Sequence, residues 1–352
     1  MDVDRTARSP INLQPSLHET LWGGSDLADV AGKRIPSGAK IGESWETEAG
    51  NLALNAPYAG RSLRALVDEL GVELVGTQAL ALLGLRFPLL AKFIDAHETL
   101  SVQVHPDDAY ARAHEGGTLG KTEAWYILRA DPGARLILGW NSPTSPSEVR
   151  AAIAETRLEA LLHTFEVHAG DVVFVPAGTV HAIGAGIVLY ELQEYSDVTY
   201  RLYDYGRLQP DGRPRELHVE QALQVLRYEP VTRSTVQPVV VPGSANGAMR
   251  RVLVACEYFV QEEIRLRSQL ASSTAPTSCQ IVTALAGACE LTAEAGLPLT
   301  LGRGDTVVLP ALLGAYTLHS ADAHVLRSYV PIADDPLLTL WRSAQPLGRE
   351  SL

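Results

Sequence analysis

The stretch Gly170-Asp-Val-Val-Phe-Val-Pro176-Ala-Gly178-Thr-Val-His181 constrains the fold more than any other part of the chain. A Gly-Asp turn opens a short run of β-branched and aromatic residues. Pro176 and Gly178 end that run, and His181 opens the next apolar one through Ile183, Ile187 and Leu189. The layout predicts a hairpin with one imidazole at its mouth. Gly304-Asp-Thr-Val-Val-Leu-Pro310 repeats the first half of the pattern, but Ala315 stands five residues past Pro310, where His181 stands five past Pro176. The chain therefore reads as two units of one β design, of which the first alone keeps its histidine; His319 is near but out of register.

Length permits two such units. The 352 residues exceed one ordinary domain, and 46% hydrophobic with 20% charged residues describes a globular chain. A formal charge of −12 argues against nucleic acid and anionic membrane as partners. An anionic ligand would then need a local group of Lys and Arg. Residues 1–10 contain no apolar h-region. The most apolar stretch, residues 79–90, is broken by Arg86 and too short to span a bilayer. Cys256, Cys279 and Cys289 form no Cys-x-x-Cys pair and read as buried thiols of a reducing compartment, with cytoplasm as the expectation.

Along the chain, Leu21-Trp-Gly-Gly24 and Ile41-Gly-Glu-Ser-Trp45 suggest sheet with tight turns. Leu63, Leu66, Val67 and Leu70 follow helical spacing behind a Ser62 N-cap, which predicts a helical insertion at about 61–84 covering one end of the sheet. Leu89-Leu-Ala-Lys92-Phe-Ile-Asp95 is an apolar strand with a single lysine. In Leu100-Ser-Val-Gln-Val-His105, the period of two puts Ser101, Gln103 and His105 on one face and Leu100, Val102 and Val104 on the other. Lys121 and Glu123 share a face on the next strand by the same rule. A second helical insertion is expected at about 145–163, starting at Ser145-Pro-Ser-Glu148, and a helix over residues 214–227. The domain expectation is an N-terminal unit of residues 1–210, a helix and connector over 211–245, and a C-terminal unit of 246–352 without a metal histidine.

Gly-x5-Pro-x-Gly-x2-His resembles the second signature of the cupin barrels, with Ala185 where those usually have Asn. A metal site then needs further ligands, and Gln103, His105, Glu123 and His181 offer an amide oxygen, two imidazoles and a carboxylate. Such a set suits zinc, although iron or manganese in an oxygenase could use the same donor types. Cupin oxygenases typically carry His-x-His on the first strand; here the pair is Gln103-x-His105. Together with Leu100-Ser-Val-Gln-Val-His-Pro-Asp107, Gly120-Lys-Thr-Glu-Ala-Trp125, Val175-Pro-Ala-Gly-Thr-Val-His-Ala182, Leu21-Trp-Gly23, Ile41-Gly-Glu-Ser-Trp45 and Glu191-x4-Ser196-Asp197-x3-Arg201, this pattern resembles the type I mannose-6-phosphate isomerases, particularly the shorter bacterial kind. The motifs occur in order over most of residues 17–222.

The resemblance implies a mostly β fold of two cupin (jelly-roll) β-barrels with small helical insertions in and after the first. It also implies one Zn2+ per chain on Gln103, His105, Glu123 and His181, and a catalytic arginine at Arg201. Other pocket residues would be Trp22, Glu43, Lys92, Ser101, Lys121 and Glu191, with Arg207 where eukaryotic members carry lysine. The expected partner is a small-molecule sugar phosphate, and the expected state a monomer or weak homodimer. Moving a carbonyl between C1 and C2 requires a base, for which Glu191 and a zinc-bound water both qualify, and stabilisation of an enediolate, assigned to the metal and Arg201. Ser101, Lys92, Lys121 and Arg207 are the groups available to phosphate. Two rival expectations are another metal-dependent cupin enzyme (a different sugar isomerase or epimerase, or an oxygenase) and a non-catalytic sugar-binding bicupin. Lys, Arg and Glu persist around the four ligands, which favours the isomerase.

Overall fold

The computed structural model describes residues 9–243, 247–294 and 296–345. Residues 1–8, part of the segment without an h-region, lie outside that range. The chain forms four antiparallel sheets arranged as two jelly-roll sandwiches. The sheets pair face to face without closing into barrels. In the first sandwich, a six-stranded sheet runs in the order Ser16–Gly24, Ile41–Trp45, Leu89–Ala96, Ile187–Glu194, Glu123–Ala130, Val172–Val175. It faces a five-stranded sheet in the order Tyr200–Tyr203, Val102–Val104, His181–Ile183, Arg135–Trp140, Leu162–Glu166. The second sandwich pairs a seven-stranded sheet with a four-stranded one. Its first edge strand, Ile11–Asn12, comes from the start of the chain and pairs with Thr306–Leu309.

The six-stranded sheet is buried on both faces. Its inner face packs Ile94, Trp125, Ile127 and Leu189 against the five-stranded sheet. The outer face packs Ala91, Phe93, Ala124, Tyr126, Tyr190 and Leu192 into one core with Val252, Ile281, Val308 and Leu326 of the second sandwich. This accounts for the near-continuous apolar runs in Leu89–Ala96 and Ile187–Glu194, in which every residue is buried. Because side chains alternate, Lys92, Glu123 and Glu191 point inward while their sequence neighbours face the second sandwich.

The same alternation governs the five-stranded sheet. Val102, Val104, Ala182, Tyr200 and Leu202 pack outward beneath helices Pro146–Ala154 and Val219–Val225, leaving Gln103, His181 and Arg201 inward. Leu100 differs from expectation. The strand begins only at Val102, and Leu100 joins the inner core with Trp22.

Ser62 caps Leu63–Leu70 by accepting from the Ala65 amide, as its position predicts. The insertion continues through Val72–Val75 and Thr77–Leu83, but it clasps the second sandwich instead of covering an end of the first sheet. Thr77 N donates to Pro276 O (2.9 Å), and Ala311 N to Leu74 O (3.0 Å). At Gly76 (φ +92°) a Cβ would come within 2.4 Å of the Thr277 backbone, so the docking requires glycine. Ser145 caps Pro146–Ala154 as expected. The helix expected over 214–227 shrinks to Val219–Val225, because Pro214 pairs back with Leu208 in an isolated bridge. Two further helices are present, Leu27–Ala31, only five residues long, and Pro336–Ala344, capped by Asp335.

In the second sandwich Ala315 begins a strand just as His181 does in the first. The interior beside it is filled by Ile264, Val282, Leu291, Leu309 and Tyr316. No described group of metal-ligating side chains occurs there.

A buried ion pair locks the two sandwiches together. Lys33 Nζ lies 2.7 Å from Glu46 Oε1 and 2.6 Å from Gly304 O, while Thr306 Oγ1 donates to Glu46 Oε2 at 3.1 Å. With Glu46 1% exposed, Lys33→Met would leave a buried charge uncompensated and should lower unfolding free energy by about 3 kcal/mol. Denaturant titration checks this, and adding Glu46→Leu should recover most of the loss.

Candidate metal centre and pocket

Register brings the polar residues together. His181 pairs with Gln103, and Gln103 with Arg201, across three adjacent strands of the five-stranded sheet. Opposite them, Glu191 lies between Lys92 and Trp125 in the six-stranded sheet. Both sets point into the space between the sheets, at one mouth of the sandwich.

At its floor sit His105, Glu123 and His181, whose ligand atoms lie within 4.8 Å of one another. His181 Nε2 is 3.3 Å from Glu123 Oε1, and His105 Nε2 is 3.7 Å from Glu123 Oε2. Each imidazole has its other nitrogen committed: His105 Nδ1 to Val198 O (2.8 Å) and His181 Nδ1 to Thr179 O (2.9 Å). With Nδ1 donating to a carbonyl, Nε2 carries the lone pair and faces Glu123. Burial drives both imidazoles toward the neutral form, His181 to about 4 and His105 well below its usual range, the latter helped by the Lys121 charge.

Glu123 is fully buried, and neither of its oxygens accepts a hydrogen bond. Lys121 Nζ approaches Oε2 at 2.9 Å as an ion pair of poor hydrogen-bond geometry. Two inward lone pairs and an orphaned carboxylate make a donor set that fits a divalent cation. Gln103 lies beside it. Its amide lies 3.2 Å from His181 Nε2, and a half-turn of the amide, which exchanges nitrogen for oxygen, presents Oε1 to the same centre.

Above the floor opens a pocket of about 390 Å3. Trp22, Glu43, Lys92, Ser101, Gln103, Lys121, Glu191 and Arg201, all anticipated from sequence, line it. Glu191 receives a hydrogen bond from Trp125 Nε1 (3.0 Å) on one oxygen; the other is 3.8 Å from Lys92 Nζ and 3.9 Å from Lys121 Nζ. Burial, then the Glu123 charge, raises the Glu191 carboxyl above its ordinary range against the pull of both lysines. Lys92 also sits 4.1 Å from the Trp45 ring centroid. Glu43 accepts from Trp45 Nε1 at 2.5 Å; burial works to raise its pKa, but Lys92, the Trp45 hydrogen bond, Lys121 and His18 together outweigh it and hold the carboxyl below its ordinary range.

Arg201 Nε donates to Ser101 Oγ (3.3 Å) and Nη1 to Glu216 O (2.9 Å), which fixes the guanidinium over the pocket. Arg207 is not among the lining residues; it is turned to Asp204 and, at 2.6 Å, to Thr99 O. Its place at the wall is taken by Arg215, which shares Asp204 with it (Nη2–Oδ1 2.5 Å). Asp197, part of the motif that ends at Arg201, also lines the pocket, as do Arg215, Thr199 and Thr20, which no sequence motif singled out. The one available signal was the Arg-Pro-Arg run at 213–215, a local excess of charge in an acidic chain.

A jelly-roll sandwich with two imidazoles, a carboxylate and an amide on its inner wall defines a cupin-type metalloprotein. Residues 11–125 match the family profile "Phosphomannose isomerase type I, catalytic domain". The mannose-6-phosphate isomerase of Streptococcus mutans is 38% identical over 326 residues, covering 91% of this chain and 98% of its own. Mannose-6-phosphate isomerase ManA of Bacillus subtilis is 40% identical over 255 residues, covering 71% and 77%. A crystal structure of the mannose 6-phosphate isomerase from Bacillus subtilis superposes with a TM-score of 0.80 at 34% identity, over 91% of this chain and 99% of that one. The chain belongs to the type I phosphomannose isomerase family.

If Glu123 is the central anionic donor, Glu123→Gln should weaken divalent-metal binding by about 100-fold or more. Competition titration against a chromogenic chelator measures this; unchanged affinity would remove Glu123 from the centre.

Proposed function

We propose that this chain is a zinc-dependent aldose–ketose isomerase that interconverts mannose 6-phosphate and fructose 6-phosphate through an enediolate. The observation that carries the reading is the buried, hydrogen-bond-free Glu123 between two neutral imidazoles, directly beneath a pocket with lysines and arginines on its walls. The relatives' names supply mannose 6-phosphate, and moving its carbonyl from C1 to C2 gives fructose 6-phosphate. Zinc is chosen because the reaction needs no redox step and the donors are nitrogen and oxygen. Held by Gln103, His105, Glu123 and His181, it would supply Lewis-acid stabilisation of oxygen charge next to the reacting carbons.

The chain's own residues perform the rest. Glu191, with one oxygen fixed by Trp125 and the other facing the pocket, takes the proton from the carbon beside the carbonyl and returns it to the neighbouring carbon. Its raised pKa makes it a stronger base than an ordinary carboxylate. Arg201 remains charged even though burial and Arg215 lower its pKa, and its guanidinium, steadied by Ser101 and the Glu216 carbonyl, stabilises the enediolate. Lys121 is held protonated because Glu123 and Glu191 outweigh the effect of burial, so it acts as a fixed positive charge. Lys92, Ser101 and Arg215 meet the phosphate, and Arg207 contributes by orienting Arg215 through Asp204. Trp22 and Glu43 complete the sugar-facing wall.

The three cysteines are free, in keeping with the cytoplasm as the compartment. No helix among the described residues is long and apolar enough to cross a membrane.

The deciding experiment is a coupled assay of purified protein with mannose 6-phosphate. Activity should disappear after chelator treatment and return with added zinc; failure of zinc to restore it would overturn the zinc assignment. In the same assay, Arg201→Ala should lower kcat by about 100-fold with KM nearly unchanged. Raised KM at unchanged kcat would move Arg201 from the reacting carbons to the phosphate.

A further inference from the structure

Between strands Ile187–Glu194 and Tyr200–Tyr203 the chain crosses from the six-stranded sheet to the five-stranded one. The crossing, residues 195–199, has no regular structure, yet the site hangs on it. Asp197 and Thr199 line the pocket, Arg201 follows two residues later, and the Val198 carbonyl accepts from His105 Nδ1 at 2.8 Å.

The two carbonyls that orient the imidazoles are held by different means. Thr179 O, the partner of His181, belongs to the turn around Gly178, where the backbone bonds to itself. Thr179 N donates to Pro176 O (3.1 Å) and Gly178 N to His105 O (2.8 Å). Among the described residues, no backbone–backbone hydrogen bond holds residues 197–199. Two buried side chains take over that task. Ser196 Oγ donates to Leu119 O (2.7 Å) and accepts from the Val198 amide (3.4 Å). Gln193 Nε2 donates to Glu194 O (3.1 Å) and to Ser196 O. Carbonyls only accept, so these two contacts fix which end of the Gln193 amide is which.

The anchor at Leu119 is itself firm. At the next residue, Gly120, a Cβ would come within 2.5 Å of the Asp107 backbone, and Lys121 N donates to Pro106 O at 3.1 Å. This segment is thus pressed against the residues that follow His105, and it runs on into Lys121 and Glu123. Gln193, fully buried, pairs with Glu123 in the neighbouring strand. One hydroxyl and one amide therefore tie the carbonyl behind His105 to the strand that bears the central carboxylate.

We infer that Ser196 and Gln193 are positioning residues of the metal centre: they clamp the crossing so that the Val198 carbonyl holds His105 with Nε2 toward Glu123. Their role rests on the metal reading given above, and neither lines the pocket. With the clamp removed, the carbonyl can tilt away and the imidazole can carry its proton on Nε2, where it offers a cation no lone pair. Loss of such an outer partner lowers metal affinity by about 10- to 100-fold.

The test uses Co2+ alone, without substrate, and measures its affinity by competition with a chromogenic chelator well below the unfolding temperature. Ser196→Ala and Gln193→Met should each weaken Co2+ binding by about 10-fold and diminish its visible d–d absorption as His105 loosens. Ser44→Ala serves as control. It also removes a buried hydroxyl that donates a 2.7 Å hydrogen bond, here to Glu46 on the far side of the sheet, so it should lower the unfolding midpoint and leave Co2+ affinity intact. Unchanged affinity in either variant, weaker binding with an unchanged Co2+ spectrum, or an equal loss in Ser44→Ala would each overturn the clamp. If one of the two variants fails to fold, the other decides. Failure of the unsubstituted protein to bind Co2+ would instead overturn the metal centre itself.

Discussion

A carboxylate removed from water and given no hydrogen bonds must be matched by positive charge, and Glu123 is such a group. Most of the first sandwich is arranged around it. Two imidazoles are fixed through their far nitrogens by backbone carbonyls, so that only their lone-pair sides face the carboxylate. Lys121, two residues earlier on the same face, supplies the nearest protein cation. An interior that concentrates this much polarity would be unstable as a hydrophobic core. It persists because each group is held by the sheet on one side and by its neighbours on the other.

The six-stranded sheet makes this possible by separating chemistry from cohesion. On strand Ile187–Glu194, Glu191 serves the pocket while Tyr190 and Leu192 pack against the second sandwich. Strands Leu89–Ala96 and Glu123–Ala130 divide their residues in the same way, with Lys92 and Glu123 inward and Phe93 and Tyr126 outward. The second sandwich, whose own interior sets a buried Arg327–Glu262 ion pair among apolar side chains, thus serves as a wall that keeps the outer face dry. Its lost histidine and its preserved packing fit that role.

Local periodicity made much of this legible. Strict alternation around Gln103, Lys121 and Glu123 predicted which side chains share a face, and the Pro-x-Gly break before His181 predicted the hairpin; the structure places them accordingly. The duplicated turn revealed the second sandwich and its vacant register at Ala315. Long-range relations were not legible. The helical insertion's spacing says that one face is buried but not against what, and the partner lies some 200 residues on, at Pro276 and Ala311. Leu100 was misplaced because alternation holds only within a strand, and the strand starts two residues later. Arg215 escaped notice because it reaches the pocket from an irregular segment, where no period links position to direction.

The pairing of Ile11–Asn12 with Thr306–Leu309 has a consequence for how the molecule is made. A ribosome releases the first of these strands nearly three hundred residues before the second, so this pairing closes only when almost the whole polypeptide has been made. The second sandwich is thus not a contiguous piece of chain: it takes an edge strand from ahead of the first, whose own strands run unbroken from Ser16 to Tyr203, and a cut placed between them would strip the later one of that edge.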